Sequence, residues 1–160
     1  MDRHFSAGGV VFKKQDNQVL WLVTKASNHN KDLWRLPKGW LDDKNGGPGE
    51  LGRGIKKASE TDLQQAALRE VKEEGGVNAK IITKIKTIKY FSKWQGKTIL
   101  KFVTFYLMEY INDVPQGFGF ETEEIRWLNL NQAKALLNSL QEKEILLQAN
   151  KIYTNYYNWN

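Results

Sequence analysis

Glu70, Glu73 and Glu74 stand at i, i+3 and i+4, so a helix would carry three carboxylates on one face within about a turn. Like charges at that spacing repel by roughly 0.2–0.5 kcal/mol per pair. Two arrangements tolerate this: a solvated surface cluster beside Lys72, or a metal centre in which hard carboxylate oxygens bind Mg²⁺ or Mn²⁺. In the second, the ion also holds phosphate oxygens and polarises an attacking water, which is the chemistry of phosphoanhydride hydrolysis. The chain has no cysteine, which excludes a thiolate nucleophile, cysteine-ligated zinc and a disulfide framework.

The helix that must present these carboxylates is expected to start at Thr61-Asp62-Leu63-Gln64, a capping-box pattern, and to end at Gly75 or Gly76. Leu63, Ala66, Ala67, Leu68 and Val71 supply its apolar stripe over about four turns. Before it, Ser6 to Phe12 and Gln18 to Thr24 have the composition of paired strands. A polar loop from Ala26 to Asp32 leads to a shaped turn over Leu33 to Trp40, where Pro37 and Gly39 interrupt regular structure. Leu41 to Ser59 holds five of the thirteen glycines, with Pro48 among them, which predicts an extended loop that could cover a substrate. No Gly-Lys-Ser/Thr follows, so this is not a P-loop.

After the helix, Lys80 to Phe91 and Lys97 to Ile111 predict a long hairpin turning at Gln95-Gly96, and Glu123 to Leu128 a further strand. Asn131 is placed to cap a helix containing Ala133, Leu136 and Leu137, and a second helix is expected from about Gln141 to Ala149. The aromatic tail, residues 151–160, shows no clear helical period, and docking on the domain or on a second copy of the chain, as in a homodimer, would hide its rings. The pattern predicts one α/β or α+β domain over residues 1–150, with a central mixed sheet, a glycine-rich insertion at about 41–59 and the tail outside it.

Apolar stretches such as Ile99 to Met108 are broken by Lys101 and are too short to span a membrane. The first residues lack a secretory h-region, so the expected compartment is the cytoplasm. A net charge of +6 favours anionic partners, while the lysines are scattered rather than gathered in a nucleic-acid-binding arm.

Arg69-Glu70-Val71-Lys72-Glu73-Glu74-Gly75-Gly76-Val77 resembles the core of the Nudix box, R-E-U-x-E-E-x-G-U with U aliphatic, at every defined position. Leu36-Pro37-Lys38-Gly39 resembles the turn that opens that box. The resemblance implies an α/β/α sandwich and more than one Mg²⁺ or Mn²⁺ ion held by Glu70, Glu73 and Glu74, with the Gly39 carbonyl as an extra ligand and Arg69 orienting the carboxylates. Glu73, Glu74 and Arg69 would be catalytic, with Arg35 and Lys38 beside the phosphates. It also implies a carboxylate from the loop before a late Trp-containing strand: Glu121, six residues before Trp127, or Glu124. The family's usual spacing between glycine, first glutamate and arginine is not met, which leaves Glu50 and Glu60 both open for the first acidic position.

Within the family, Trp34 to Trp40 and Glu124 to Leu128 resemble the dinucleoside polyphosphate hydrolases, implying asymmetric cleavage of diadenosine tetraphosphate. Tyr90 and Phe91, with Trp94 nearby, would then stack on adenine, although cross-strand aromatic packing needs no ligand. Nucleoside triphosphates, ADP-ribose and RNA 5′ triphosphate ends are alternative substrates, RNA being the one nucleic-acid partner considered. A nucleotide-sensing or protein-binding domain without turnover is the alternative of another class.

Overall fold

The computed structural model describes residues 1–27 and 32–157; part of the expected 26–32 loop and the end of the tail lie outside the described residues. Strand β1 (Arg3–Gln15) runs down the middle of a mixed sheet. On one side it pairs in parallel with β8 (Lys97–Asp113), which pairs antiparallel with β7 (Val77–Trp94). On its other side β1 pairs antiparallel with β4 (Lys38–Trp40) and with β2 (Gln18–Ala26). Strand β2 also pairs with β3 (Trp34–Arg35) and β9 (Thr122–Leu128), so the expected turn over 33–40 is two short strands flanking Leu36-Pro37.

Alternation along the strands separates two apolar layers. Val10, Phe12, Val103, Phe105 and Leu107 face α2 (Leu130–Leu136) and α3 (Leu140–Tyr157) on one side. Ala7, Val11, Tyr106 and Met108 face Ala66, Ala67 and Val71 of α1 (Glu60–Gly75) on the other. The result is the expected α/β/α sandwich with its mixed sheet in the middle. Among the described residues no helix is long and apolar enough to cross a membrane.

Helix α1 begins two residues ahead of the expected cap. Ser59 is the N-cap: its hydroxyl accepts from the Asp62 amide at 3.1 Å, and the Asp62 carboxylate accepts from the Ser59 amide at 2.9 Å. Accordingly Ser59→Ala is expected to cost about 1 kcal/mol of stability and Thr61→Ala less than about 0.5 kcal/mol in urea titrations. Equal costs would contradict this cap. At the other end Gly76 takes the left-handed conformation at φ 71° and returns its N–H to the Lys72 carbonyl, as its type allows. Helix α2 is likewise capped by Asn129, with Gln132 reciprocating, rather than by Asn131.

The aromatic tail is the continuation of α3. Tyr153 is buried against Phe12 and Trp21, and Tyr157 stacks on Tyr153 at 4.8 Å, the i, i+4 spacing of a helix. Docking on the domain is therefore correct for this part of the tail, and the absence of helical period is corrected.

The glycine-rich insertion is also more ordered than an extended loop. It opens with a small hairpin, β5 (Asp43–Lys44) and β6 (Gly47–Pro48), turned by Asn45-Gly46 with both residues at positive φ. The chain then wraps round the Asp42 carboxylate, which accepts from the amides of Leu51 at 3.0 Å and Gly52 at 2.7 Å. A Cβ at Gly49 would press on that carboxylate at 2.6 Å, so the wrap needs glycine. The Gly52 carbonyl accepts from the Phe5 amide at 2.7 Å, which ties the insertion to β1.

Candidate functional site

Helix α1 lies against β1 through Ala67 and Val71, which turns Glu70 and Glu74 into a cleft between the helix and the β3–β4 turn. Both carboxylates are buried, Glu70 at 8% and Glu74 at 3% exposure, whereas the Glu73 side chain is 59% exposed at the rim. The β3–β4 turn is held by the helix from both ends. The Lys38 amide donates to Glu74 at 3.1 Å, and the Arg69 guanidinium donates to the Trp40 carbonyl at 2.7 Å while lying 3.4 Å from Glu70 and 4.0 Å from Glu73. Gly39 rests directly on Glu70: a Cβ there would overlap its carboxylate. Only glycine lets the turn come this close.

The cleft encloses about 470 Å³ and is walled by Arg35, Gly39, Glu70, Glu74, Lys101 and Glu121 among others. Burial pushes the Glu70 carboxyl up to about 8, with the Glu74 charge adding to the rise and Arg69 opposing it. Burial also pushes Glu74 up to about 7, against Arg35 and the Lys38 amide, with the Glu121 charge adding to the rise. Two acids are thus held together with too little positive charge to ionise both easily. Arg35 reaches Glu74 at 3.5 Å, and its buried Nε has no hydrogen-bond partner among the described residues. Lys101 is pulled down to about 8 by burial and by the neighbouring charges of Lys38 and Arg35.

Glu121 reaches this cleft because the loop before β9 is bound to the end of α1, the Gly119 amide donating to the Glu73 carbonyl at 2.7 Å. Glu124 instead pairs with Arg126 at 2.6 Å and lies outside the cleft walls. Lys38 lines the cleft, but its ammonium is ion-paired with Glu142, a buried residue of α3 that also accepts from the Leu36 amide at 2.7 Å. Glu50 does not line the cleft, and Glu60 is turned toward the sheet, where it accepts from Tyr106 at 2.7 Å and Lys84 at 2.9 Å. Of the acidic residues before the helix, Asp43 is the one that lines the cleft.

The aromatic pair divides. Tyr90 is the cross-strand partner of Lys101 and packs into the α3-side core, whereas Phe91 pairs with Leu100 on the opposite face and is 67% exposed. Alternation along β7 therefore corrects the expectation that both stack on one base at the cleft. Among the described residues no three Asp, Glu, His or Cys side chains converge on one metal position, because Glu73 stays at the rim beside Arg69. Lys101 and Asp43 were not singled out from the sequence. Lys101, the one charge in the run Ile99 to Met108, is the signal that could have found the first.

A family model described as the NUDIX domain matches residues 2–149. The curated MutT4 protein of Mycobacterium tuberculosis is 28% identical over 151 residues, 92% of this chain and 54% of that protein, so the chain spans about half the length of this relative. Among solved structures, the Caenorhabditis elegans Ap4A hydrolase binary complex superposes with a TM-score of 0.62 at 20% identity, covering 95% of this chain and 98% of that one. The NUDIX domain of Shewanella oneidensis NrtR with ADP ribose gives 0.65 at 21% identity, covering 95% and 89%. At such identities these two share the fold.

Proposed function

The chain belongs to the Nudix family, and we propose that it hydrolyses a phosphoanhydride bond in a nucleoside polyphosphate, with asymmetric cleavage of a dinucleoside polyphosphate such as diadenosine tetraphosphate as the preferred reaction. The observation that carries this reading is the pair of buried carboxylates, Glu70 and Glu74, facing Arg35 and Lys101 across one cleft. Hard oxygen donors with raised carboxyl pKa values fit a divalent cation, which supplies the missing countercharge. Mg²⁺ or Mn²⁺ bound by Glu70, Glu73, Glu74 and the Gly39 carbonyl would neutralise phosphate charge and act as a Lewis acid on the anhydride.

The chain's own groups have distinct tasks. Arg69 fixes the turn that carries Gly39 and, with it, the orientation of Glu70. Arg35 and Lys101 present positive charge to phosphate oxygens; Lys38 holds the turn through Glu142 and Glu74. Glu121, a cleft residue with no ion pair among the described residues, is assigned the task of accepting the proton of the attacking water, a reading supported by its place beside Glu74.

A substrate panel with Mg²⁺ and Mn²⁺, read by product identity, tests the reading. Diadenosine tetraphosphate should give ATP and AMP. Faster turnover of a nucleoside triphosphate, ADP-ribose or a triphosphorylated RNA end would move the substrate assignment, and nucleotide binding without product under any divalent metal would replace hydrolysis by sensing. Lys101→Met is expected to keep the fold and raise KM about tenfold. An unchanged KM in steady-state kinetics would make Lys101 part of the scaffold alone.

A further inference from the structure

A second cavity, of about 510 Å³, lies next to the glutamate cleft. Its walls are the start of β1 and two hairpin tips, Asn45-Gly46 of the insertion and Gln95-Gly96 between β7 and β8. Arg3, Lys44, Arg53 and Lys97 line it, and Asp2 is the one carboxylate among its lining residues. The two cavities share an aromatic wall: Trp40 of the cleft lies edge-on to Trp94 at 6.3 Å and to His4 at 6.1 Å, both of which line the second cavity.

His4 belongs to the aromatic wall that the two cavities share. It is 3% exposed, wedged edge-on against Trp94 at 5.1 Å, and its buried Nδ1 has no hydrogen-bond partner among the described residues. A buried polar atom without a partner is costly, so the wall between the two cavities carries an unsatisfied imidazole. Burial and the nearby Lys101 charge favour the uncharged imidazole, so the positive charge of the cavity comes from its arginines and lysines. The insertion is what completes the enclosure. Gly47 of β6 sits against the Trp94 ring, where an added Cβ would come to 3.1 Å, and Lys44 and Arg53 both come from the same segment.

We propose that this second cavity binds a phosphate-rich group, the distal phosphates of a polyphosphate substrate whose scissile bond lies at the glutamates. The assignment rests on the hydrolase reading for the word substrate, but not for the existence of the anion site. Four cations, whose guanidinium and ammonium groups all donate hydrogen bonds, match the charge and hydrogen-bonding demands of an oligophosphate, and the shared wall lets one molecule extend from one cavity into the other. The insertion then selects for long, highly charged substrates over short ones.

The test has two arms. In calorimetric titrations with EDTA present, inorganic tripolyphosphate should bind the wild-type chain and the Glu74→Gln variant alike. It should bind Arg53→Ala/Lys97→Ala at least about tenfold more weakly. Lys56→Ala/Lys57→Ala, which removes the same charge outside the cavity, should bind as wild type. Absence of binding, equal binding by the Arg53/Lys97 variant, or equal loss in the Lys56/Lys57 control would overturn the site. In the kinetic arm, the ratio of kcat/KM for adenosine 5′-tetraphosphate over that for ADP should fall about tenfold in Arg53→Ala/Lys97→Ala. An unchanged ratio alongside lost tripolyphosphate binding would overturn the distal-end assignment in favour of a site for free oligophosphate. Because the calorimetric arm needs no turnover, failure of the hydrolase reading leaves the anion site independently tested.

Discussion

Glu74→Gln is expected to lower kcat at saturating Mg²⁺ by about a thousandfold or more, with a folded protein left behind. The substitution changes charge and little else. Glu74 is 3% exposed and accepts from the Lys38 amide at 3.1 Å, a bond that the glutamine carbonyl reproduces. What glutamine lacks is the ionised oxygen pair opposite Arg35, and with it both a hard ligand and the negative charge that would hold a divalent cation. Because burial already disfavours the carboxylate, removing it should leave the metal-free protein as stable as wild type, or more so at alkaline pH. Circular dichroism and a thermal melt separate this outcome from misfolding. Turnover near that of wild type in saturating Mg²⁺ would remove Glu74 from the proposed site.

The glutamates were legible in the sequence because their meeting is local: i, i+3 and i+4 on one helix fix their relation before any tertiary structure is known. The division of labour among them was not. Glu70 and Glu74 are buried and Glu73 is at the rim because Ala67 and Val71 set the rotation of α1 against β1, a packing fact. Helix starts were misplaced for a related reason. Ser59-x-x-Asp62 and Thr61-x-x-Gln64 both fit a capping box, and Ser59 prevails in a chain where Glu60 reaches Tyr106 and Lys84 on the sheet. The tail hid its helix because its burial partners, Phe12 and Trp21, stand at the far end of the chain. Glu142 and Lys101 were silent as site residues in the same way. One charge in a terminal helix and one in a strand acquire a role only when the sheet brings them behind and beside the Lys38 turn.

Without divalent metal, thermal stability should fall as pH rises through about 7 and about 8, and Mg²⁺ should cancel much of that fall. Both carboxyls have folded-state values above the ordinary 4.5, so folding favours their protonated forms. That stabilisation is complete below 4.5, where folded and unfolded chains alike hold the protons, and it is lost as the folded carboxyls are forced to ionise. The combined effect is on the order of a few kcal/mol, since each unit of displacement is worth about 1.4 kcal/mol and the two acids repel each other. A cation at the proposed site would reverse the preference by binding the ionised pair, so its stabilising effect should grow with pH and its binding should release protons. Melting temperatures measured from about pH 5.5 to about pH 9, in EDTA and in Mg²⁺, read this directly. Glu70→Gln should flatten the EDTA curve by removing the higher of the two transitions and the repulsion it shares with Glu74. A flat wild-type curve in EDTA, or a Mg²⁺ effect that does not change with pH, would mean that the buried pair is not the metal-linked centre. Stability of the acid form also has a folding consequence: with the protons in place, α1 can dock its glutamate face on the β3–β4 turn without a cation, and a cation at the proposed site would exchange protons for charge in a cleft already shaped by Gly39, Arg69 and the Lys38 amide.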